Sequence, residues 1–227
     1  MTFRSPNDQY SVVDKLPLQA RVIERARKKM YEKFLSTCKP NKNESILDIG
    51  ATSDRNNVAS NYLEAWYPVK KNITAIGLQD ASFLMDLYPG LKFLEADGRS
   101  LPFTDNAFDI VHSSAVIEHA GSNQQQQDLL SEQFRVARKA VFLTTPNRGF
   151  PLEVHTSLPL IHWLPMKTFR KILTLMGYDF FAQEKNLNLL YARDLRLMCR
   201  NLGVRQYKID YNYTFGWASN ILLSIFK

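Results

Sequence analysis

Five short runs rich in apolar and β-branched residues constrain this chain most. They are Ser45–Ile49, Ile73–Leu78, Lys92–Glu95, Phe108–His112 and Ala140–Thr144. Helix-compatible stretches lie between them, from about Asp54 to Tyr67, Ala81 to Tyr88 and Ser122 to Lys139. Strands alternating with helices at this spacing call for a parallel sheet with crossover helices. In such open α/β sheets, ligands bind beyond the carboxyl ends of the strands, where the topology switches direction. The chemistry is therefore to be sought in the residues just after each run.

The flanks complete the plan. Residues 1–15 read as irregular. Leu18 to Cys38 reads as a basic amphipathic helix, with Ile23, Ala26, Met30 and Phe34 at three- and four-residue steps. A membrane surface suits such a helix, but packing on its own domain is the favoured reading. After Thr145, four prolines between 146 and 166 predict an ordered, non-helical insertion. Two helices follow, marked by Phe169, Ile172, Leu173 and Met176, and by Leu195, Met198, Cys199 and Leu202. The chain closes on two strands, Gln206 to Thr214 and Ser219 to Phe226, which read as a hairpin. The Gln124–Gln127 run reads as an exposed helix face.

The chain of 227 residues suits one domain, and its 45% hydrophobic content is enough for a core. The net charge of +7 suits nucleic acid, anionic lipid or a phosphorylated substrate; it suits equally a surface with more Lys than Glu. No RNA-binding motif or long basic block accompanies it, so nucleic acid is disfavoured as a partner. Cys38 and Cys199 supply neither a disulfide framework nor a zinc motif. No stretch approaches the roughly 20 apolar residues of a membrane span, and MTFRSPNDQY lacks the apolar run of a signal peptide. The expected setting is cytoplasmic, with weak peripheral contact to the inner membrane face left open.

Each run ends in candidate ligand groups. After the first, Asp48 can receive an ammonium group, Gly50 permits a sharp turn, and Ala51 and Thr52 continue the loop. After the second come Gln79 and Asp80, and after the third Ala96, Asp97 and Gly98. After the fourth, Ser113 and Ser114 precede Glu118 and His119. After the fifth, Glu153, His155 and His162 lie in the insertion. His119 and then His155 are the candidate catalytic imidazoles, with side chains that titrate near neutrality. Glu118-His119 shows no third ligand at a helical step, so no metal site is expected.

These strand ends resemble known motifs. Asp48-Ile49-Gly50-Ala51-Thr52-Ser53-Asp54 is similar to the methyltransferase loop D-x-G-x-G-x-G, with Thr52 and Asp54 in place of the later glycines. Ile76-Gly77-Leu78-Gln79 resembles V-G-V-D, with Gln79 where an acid is usual. Asp97 to Val111, with Leu101-Pro102-Phe103 and Phe108-Asp109, closely resembles D-A-x-x-L-P-F-x-D-x-x-F-D-x-V. That is the segment of the ubiquinone/menaquinone-type (type 11-like) class I methyltransferases, which use S-adenosylmethionine (SAM) and release S-adenosylhomocysteine. The resemblance covers about residues 44–148. It implies a Rossmann-like α/β fold with a seven-stranded, mostly parallel sheet, an antiparallel C-terminal hairpin and helices on both faces.

The single domain would then comprise a helical extension (1–43), a cofactor core (44–145), an insertion with helices as substrate cover (146–205) and the hairpin (206–227). Gln79 or Asp80 would hold the ribose of SAM, and Asp97 with Gly98 the adenine. Ser113 and Ser114 would line its methionine half. The expected activity is methyl transfer to a small-molecule, lipid-linked or saccharide acceptor, at oxygen or carbon rather than nitrogen. The alternative is a SAM-binding scaffold that regulates a partner without turnover, suggested by the missing glycines and by Gln79.

Overall fold

The computed structural model describes residues 17–55 and 58–227; the irregular segment expected over 1–15 lies outside them. The strands are β1 (Ile46–Ile49), β2 (Ile73–Gly77), β3 (Lys92–Glu95), β4 (Phe108–Ser114), β5 (Ala137–Pro146), β6 (Gln206–Thr214) and β7 (Trp217–Phe226). They form one seven-stranded sheet in the order β3-β2-β1-β4-β5-β7-β6. The first five run parallel, and β7 enters antiparallel beside β5, Leu143 opposite Leu223. The order reverses between β1 and β4, which pair Ile49 with Ser113. That switch point directs ligands to the ends of these two strands.

Both faces of the central strands are buried, as a parallel sheet under crossover helices requires. Successive side chains point to opposite faces, so Ile46 and Leu47 serve different cores. Ile46, Ile73, Ile110, Phe142 and Leu222 pack with Met30, Phe34 and Cys38 of helix α1 (Pro17–Cys38) and with Leu63 of α2 (Tyr62–Trp66). Leu47, Val111, Val141, Leu143 and Leu223 pack with Leu129 and Leu130 of α4 (Asn123–Val136) and with Leu195, Met198 and Cys199 of α7 (Ala192–Asn201). The basic helix α1 thus packs on its own domain. A third cluster belongs to the insertion: Phe169 and Leu173 of α5 (Met166–Leu175) with Phe181 of α6 (Asp179–Ala182), Leu187 and Leu189.

Several boundaries differ from expectation. Of the helix expected from Asp54, the described residues show a 3-10 turn at Val58–Asn61 leading into α2, and Asn61 pins the loop at Thr52 through its N–H (2.8 Å) and C=O (3.0 Å). The helix expected between Ala81 and Tyr88 is a short α3 (Phe83–Leu87). The helix expected to Lys139 stops at Val136, because Ala137 already pairs with Phe108 in the sheet. It starts on a reciprocal cap: Ser122 Oγ accepts from Gln125 N–H, and Gln125 Oε1 accepts from Ser122 N–H. The insertion contains a 3-10 turn, Ile161–Trp163. The glutamine run is not wholly exposed: Gln126 is buried and donates to the carbonyls of Ile117 (3.0 Å) and Asn188 (2.7 Å). Among the described residues no helix is long and apolar enough to cross a membrane.

Candidate active site

The loops after β1 and β2 interlock. Gly50 has φ of +105°, and a Cβ there would lie 2.2 Å from Val116 Cγ2, so only glycine fits this turn. A Cβ on Gly77 would meet the Ala51 carbonyl at 2.3 Å. Gly50 and Ala51 both donate to Ile76 C=O at 2.9 Å. Ser53 Oγ donates to Gln79 Oε1 at 3.2 Å, which joins the two loops by side chains. Asp80 is exposed and accepts from Ser82 N–H at 2.8 Å.

Beyond β3, Ala96 N–H donates to Gly77 C=O, and Gly98 sits tightly between Leu129 and Ile49. Asp97 is turned to Arg99, whose Nη2 lies 2.6 Å from Oδ2. Bonds from the Arg99 side chain hold the Asp97 carboxyl below its usual range. Ser114 Oγ meets Thr144 Oγ1 at 2.9 Å.

Asp48 lies deeper than the sequence suggests. Its carboxylate bonds His112 Nδ1, and His112 Nε2 meets Tyr62 OH at 2.9 Å. Glu64 is fully buried beside it. Burial raises Asp48 to about 6, and burial together with Asp48 raises Glu64 well above the carboxylate range. Neither Glu64 oxygen meets an N–H or hydroxyl donor, so the proton that one carboxyl keeps is what binds the pair. Burial lowers His112 to about 4 and keeps the ring neutral.

Besides the Glu64 oxygens, two more buried polar atoms lack a hydrogen-bond partner: Ser113 Oγ at the end of β4, and Arg27 Nη1 of α1. Burial lowers Arg27, and the nearby Tyr62 and Asp54 act against that shift. An unpaired guanidinium N–H and an unpaired hydroxyl can each bond a polar, carboxylate-bearing ligand.

A second cluster forms after β4. Ala115 has φ of +56°, an uncommon backbone for a residue with a Cβ, and a 3-10 turn at Ile117–His119 follows. His119 Nδ1 lies 2.7 Å from Asn186 C=O, and its Nε2 lies 3.2 Å from His155 Nε2. His155 Nδ1 lies 2.7 Å from Glu153 Oε1. Glu153 Oε2 accepts from Thr156 N–H and Oγ1 at 2.7 and 2.6 Å. Glu118 Oε2 accepts from Thr145 Oγ1 at 2.8 Å, whereas Oε1 has no hydrogen-bond partner.

Burial raises Glu118 to about 7. Burial, reinforced by the neighbouring His155, holds His119 well below the histidine range. Burial pulls His155 down too, but the Glu153 carboxylate outweighs it and the net shift is upward. Burial alone would raise Glu153, yet His155 and Thr156 hold it at about 2.

The two candidate imidazoles of the sequence, 36 residues apart, are thus in contact. His162 is elsewhere engaged, with Nε2 on Phe150 C=O at 2.7 Å. Sequence reasoning missed Glu64, Tyr62 and His112 around Asp48, Arg99 beside Asp97, and the roles of Glu118, Glu153 and Asn186. Only Glu153-x-His155 carried a local signal, an acid and an imidazole two residues apart. Glu118-His119 has no third ligand at a helical step, but the insertion brings His155 to the same point, with one potential ligand atom of each of the three within 4.8 Å of the others.

Residues 47–144 match the family model of a methyltransferase domain. Comparison with proteins of curated function finds no match. Among solved structures, magnesium protoporphyrin IX methyltransferase from Synechocystis PCC 6803, with bound SAH, is 12% identical, with a TM-score of 0.61 over 97% of this chain and 92% of that one. A SAM-dependent methyltransferase from Aquifex aeolicus is 13% identical, with a TM-score of 0.58 over 91% and 97%. One from Archaeoglobus fulgidus is 14% identical, with a TM-score of 0.56 over 92% and 94%. At these identities the likeness is one of fold.

Proposed function

We propose that this chain, whose residues 47–144 match a methyltransferase domain, is a class I SAM-dependent methyltransferase that methylates an oxygen or acidic carbon of an apolar or lipid-linked small molecule. The observation that carries the proposal is the contact of His119 with His155. It brings polar groups from the end of β4 and from the insertion to one point beyond the strands. SAM supplies a methyl group already activated on a sulfonium and leaves as S-adenosylhomocysteine.

The chain's own work is then to bind, orient and exclude water, since proximity and alignment can supply most of the acceleration. Ser113 and Arg27 bring unpaired polar atoms to the cofactor's methionine end. Gln79 and Asp80 would hold its ribose, and Asp97 with the Gly98 backbone its adenine. His119, whose ring keeps 16% exposure, meets the acceptor. Glu153 orients His155 behind it, as a positioning residue. Residues 146–205 act as the cover. Exposed Leu160, Trp163 and Leu164 on that segment, with Lys167 nearby, support an acceptor drawn from an anionic lipid surface.

A second reading, SAM binding without turnover, is favoured by the engagement of Asp48 with His112, Gln79 with Ser53 and Asp97 with Arg99. Calorimetry with SAM, followed by incubation of the protein with cell extract and isotopically labelled SAM, separates the two. Mass spectrometry should find one labelled product; tight SAM binding with no labelled product in any extract overturns the enzymatic reading.

A further inference from the structure

We infer that Glu118, His119 and His155 form a site for one divalent transition-metal ion of the zinc class, bound by two imidazole nitrogens and one carboxylate oxygen. The tautomers carry the argument. The Asn186 carbonyl can only accept, so His119 Nδ1 bears its hydrogen at 2.7 Å and Nε2 presents a lone pair. The Glu153 carboxyl, which already accepts from the backbone N–H of His155 and Thr156 and from Thr156 Oγ1, likewise fixes hydrogen on His155 Nδ1 at 2.7 Å. Two Nε2 lone pairs then face each other at 3.2 Å. Only a shared proton or a cation holds them there.

The spacing suits a cation. Zinc–nitrogen bonds of about 2.0–2.1 Å at a tetrahedral angle set two nitrogens about 3.3 Å apart. The third ligand is in reach: Glu118 Oε1 is fully buried, has no hydrogen-bond partner and lies 4.0 Å from His119 Nε2. All three ligating atoms fall within 4.8 Å of one another, so a closure of about 1.5 Å by Glu118 completes the set.

The surroundings are those of a ligand shell. Metal-bound imidazoles characteristically give their other N–H to a carboxylate or a backbone carbonyl, the roles filled here by Glu153 and by Asn186. Two imidazoles with one carboxylate suit zinc, or iron in its ferrous form, rather than magnesium or calcium, which prefer oxygen. Three protein ligands leave a fourth position open. The His119 side, where the ring keeps 16% exposure against 0% for Glu118, gives the ion its entry.

This inference does not rest on methyl transfer, because its readout is metal binding. The tag-free full chain, stripped with a chelator, is titrated with Co²⁺ and followed by visible absorption, then challenged with Zn²⁺ in a calorimeter. One equivalent of Co²⁺ should bind with the intense bands of four-coordinate cobalt and be displaced by Zn²⁺. Glu118→Gln and His155→Asn should each weaken Zn²⁺ by more than about tenfold, and Glu153→Gln, one shell out, by about 10–100-fold. Melting curves identify any variant that fails to fold; the wild-type titration and Glu118→Gln then decide. No stoichiometric uptake by the wild type, or a site untouched by Glu118→Gln and His155→Asn, overturns the assignment and leaves the two rings sharing a proton.

Discussion

The molecule buries two histidine–carboxylate clusters, and they are built in opposite ways. Around Asp48, strands β1 and β4 and helix α2 supply every member. His112 stacks on Phe142 with ring centroids 5.9 Å apart and meets Phe34 edge-on at 5.1 Å. Its two nitrogens are both spoken for, by Asp48 and Tyr62. Around His119, the members come from the end of β4, the end of β5 and the insertion. That cluster keeps an unbonded carboxylate oxygen and two imidazole nitrogens turned toward each other. A closed network inside a sheet fixes strand pairing and ring orientation. A network across a strand end and a covering segment leaves bonding capacity for something that arrives later.

That contrast can be broken at four points. The largest effect is expected on turnover. His119→Ala should lower labelled-methyl transfer by about 10²–10⁴-fold while SAM affinity stays near wild type; unchanged transfer would remove the open cluster from the reaction. Asp48→Ala should act on stability, by about 1–3 kcal/mol in urea unfolding, because it leaves the neutral His112 ring and Glu64 buried without their hydrogen-bond partner. A loss below about 1 kcal/mol would mean that the closed cluster does not hold the sheet. Asp97→Ala should weaken SAM by about 1–3 kcal/mol through a lost buried hydrogen bond, read by calorimetry. Equal affinity would show that Arg99 monopolises this carboxylate.

The smallest effect is a slope. Glu64 has a folded pKa above its unfolded one, so folding takes up a proton. The stability this confers is complete below the unfolded pKa and is lost as pH rises through the folded one. His112, lowered to about 4, works the opposite way: its contribution is present above 6.5 and lost as pH falls through 4. Between pH 7 and 8 it is therefore silent. Glu64→Gln should melt higher than wild type at pH 8 and gain less at pH 7. A pH-independent difference would show that Glu64 and Asp48 share no proton.

Much of the fold was legible in the sequence, and for local reasons. The β-branched runs around Ile46, Ile73 and Ile110 mark strands whose two faces are both buried. Gly50 and Gly77 mark turns where no Cβ fits. The late hairpin follows from two long alternating runs around Phe215-Gly216. Less visible was where helices stop, because Ala137–Lys139 is helix-compatible until Phe108 offers a sheet partner. Asp97 was legible as an acid at a strand end, but its capture by Arg99 depends on how the turn places two side chains two residues apart.

By itself the sequence determined the α/β plan, the order of its elements and the positions from which ligand groups project, since each follows from periodicity and from residues within a few positions. Only the tertiary structure decided that Asp48 faces His112, 64 residues away, and that His119 faces His155. Such pairs share no local period. They are set by β1 lying beside β4 in register and by the insertion folding back over the strand ends, where packing rather than spacing fixes which buried groups become partners.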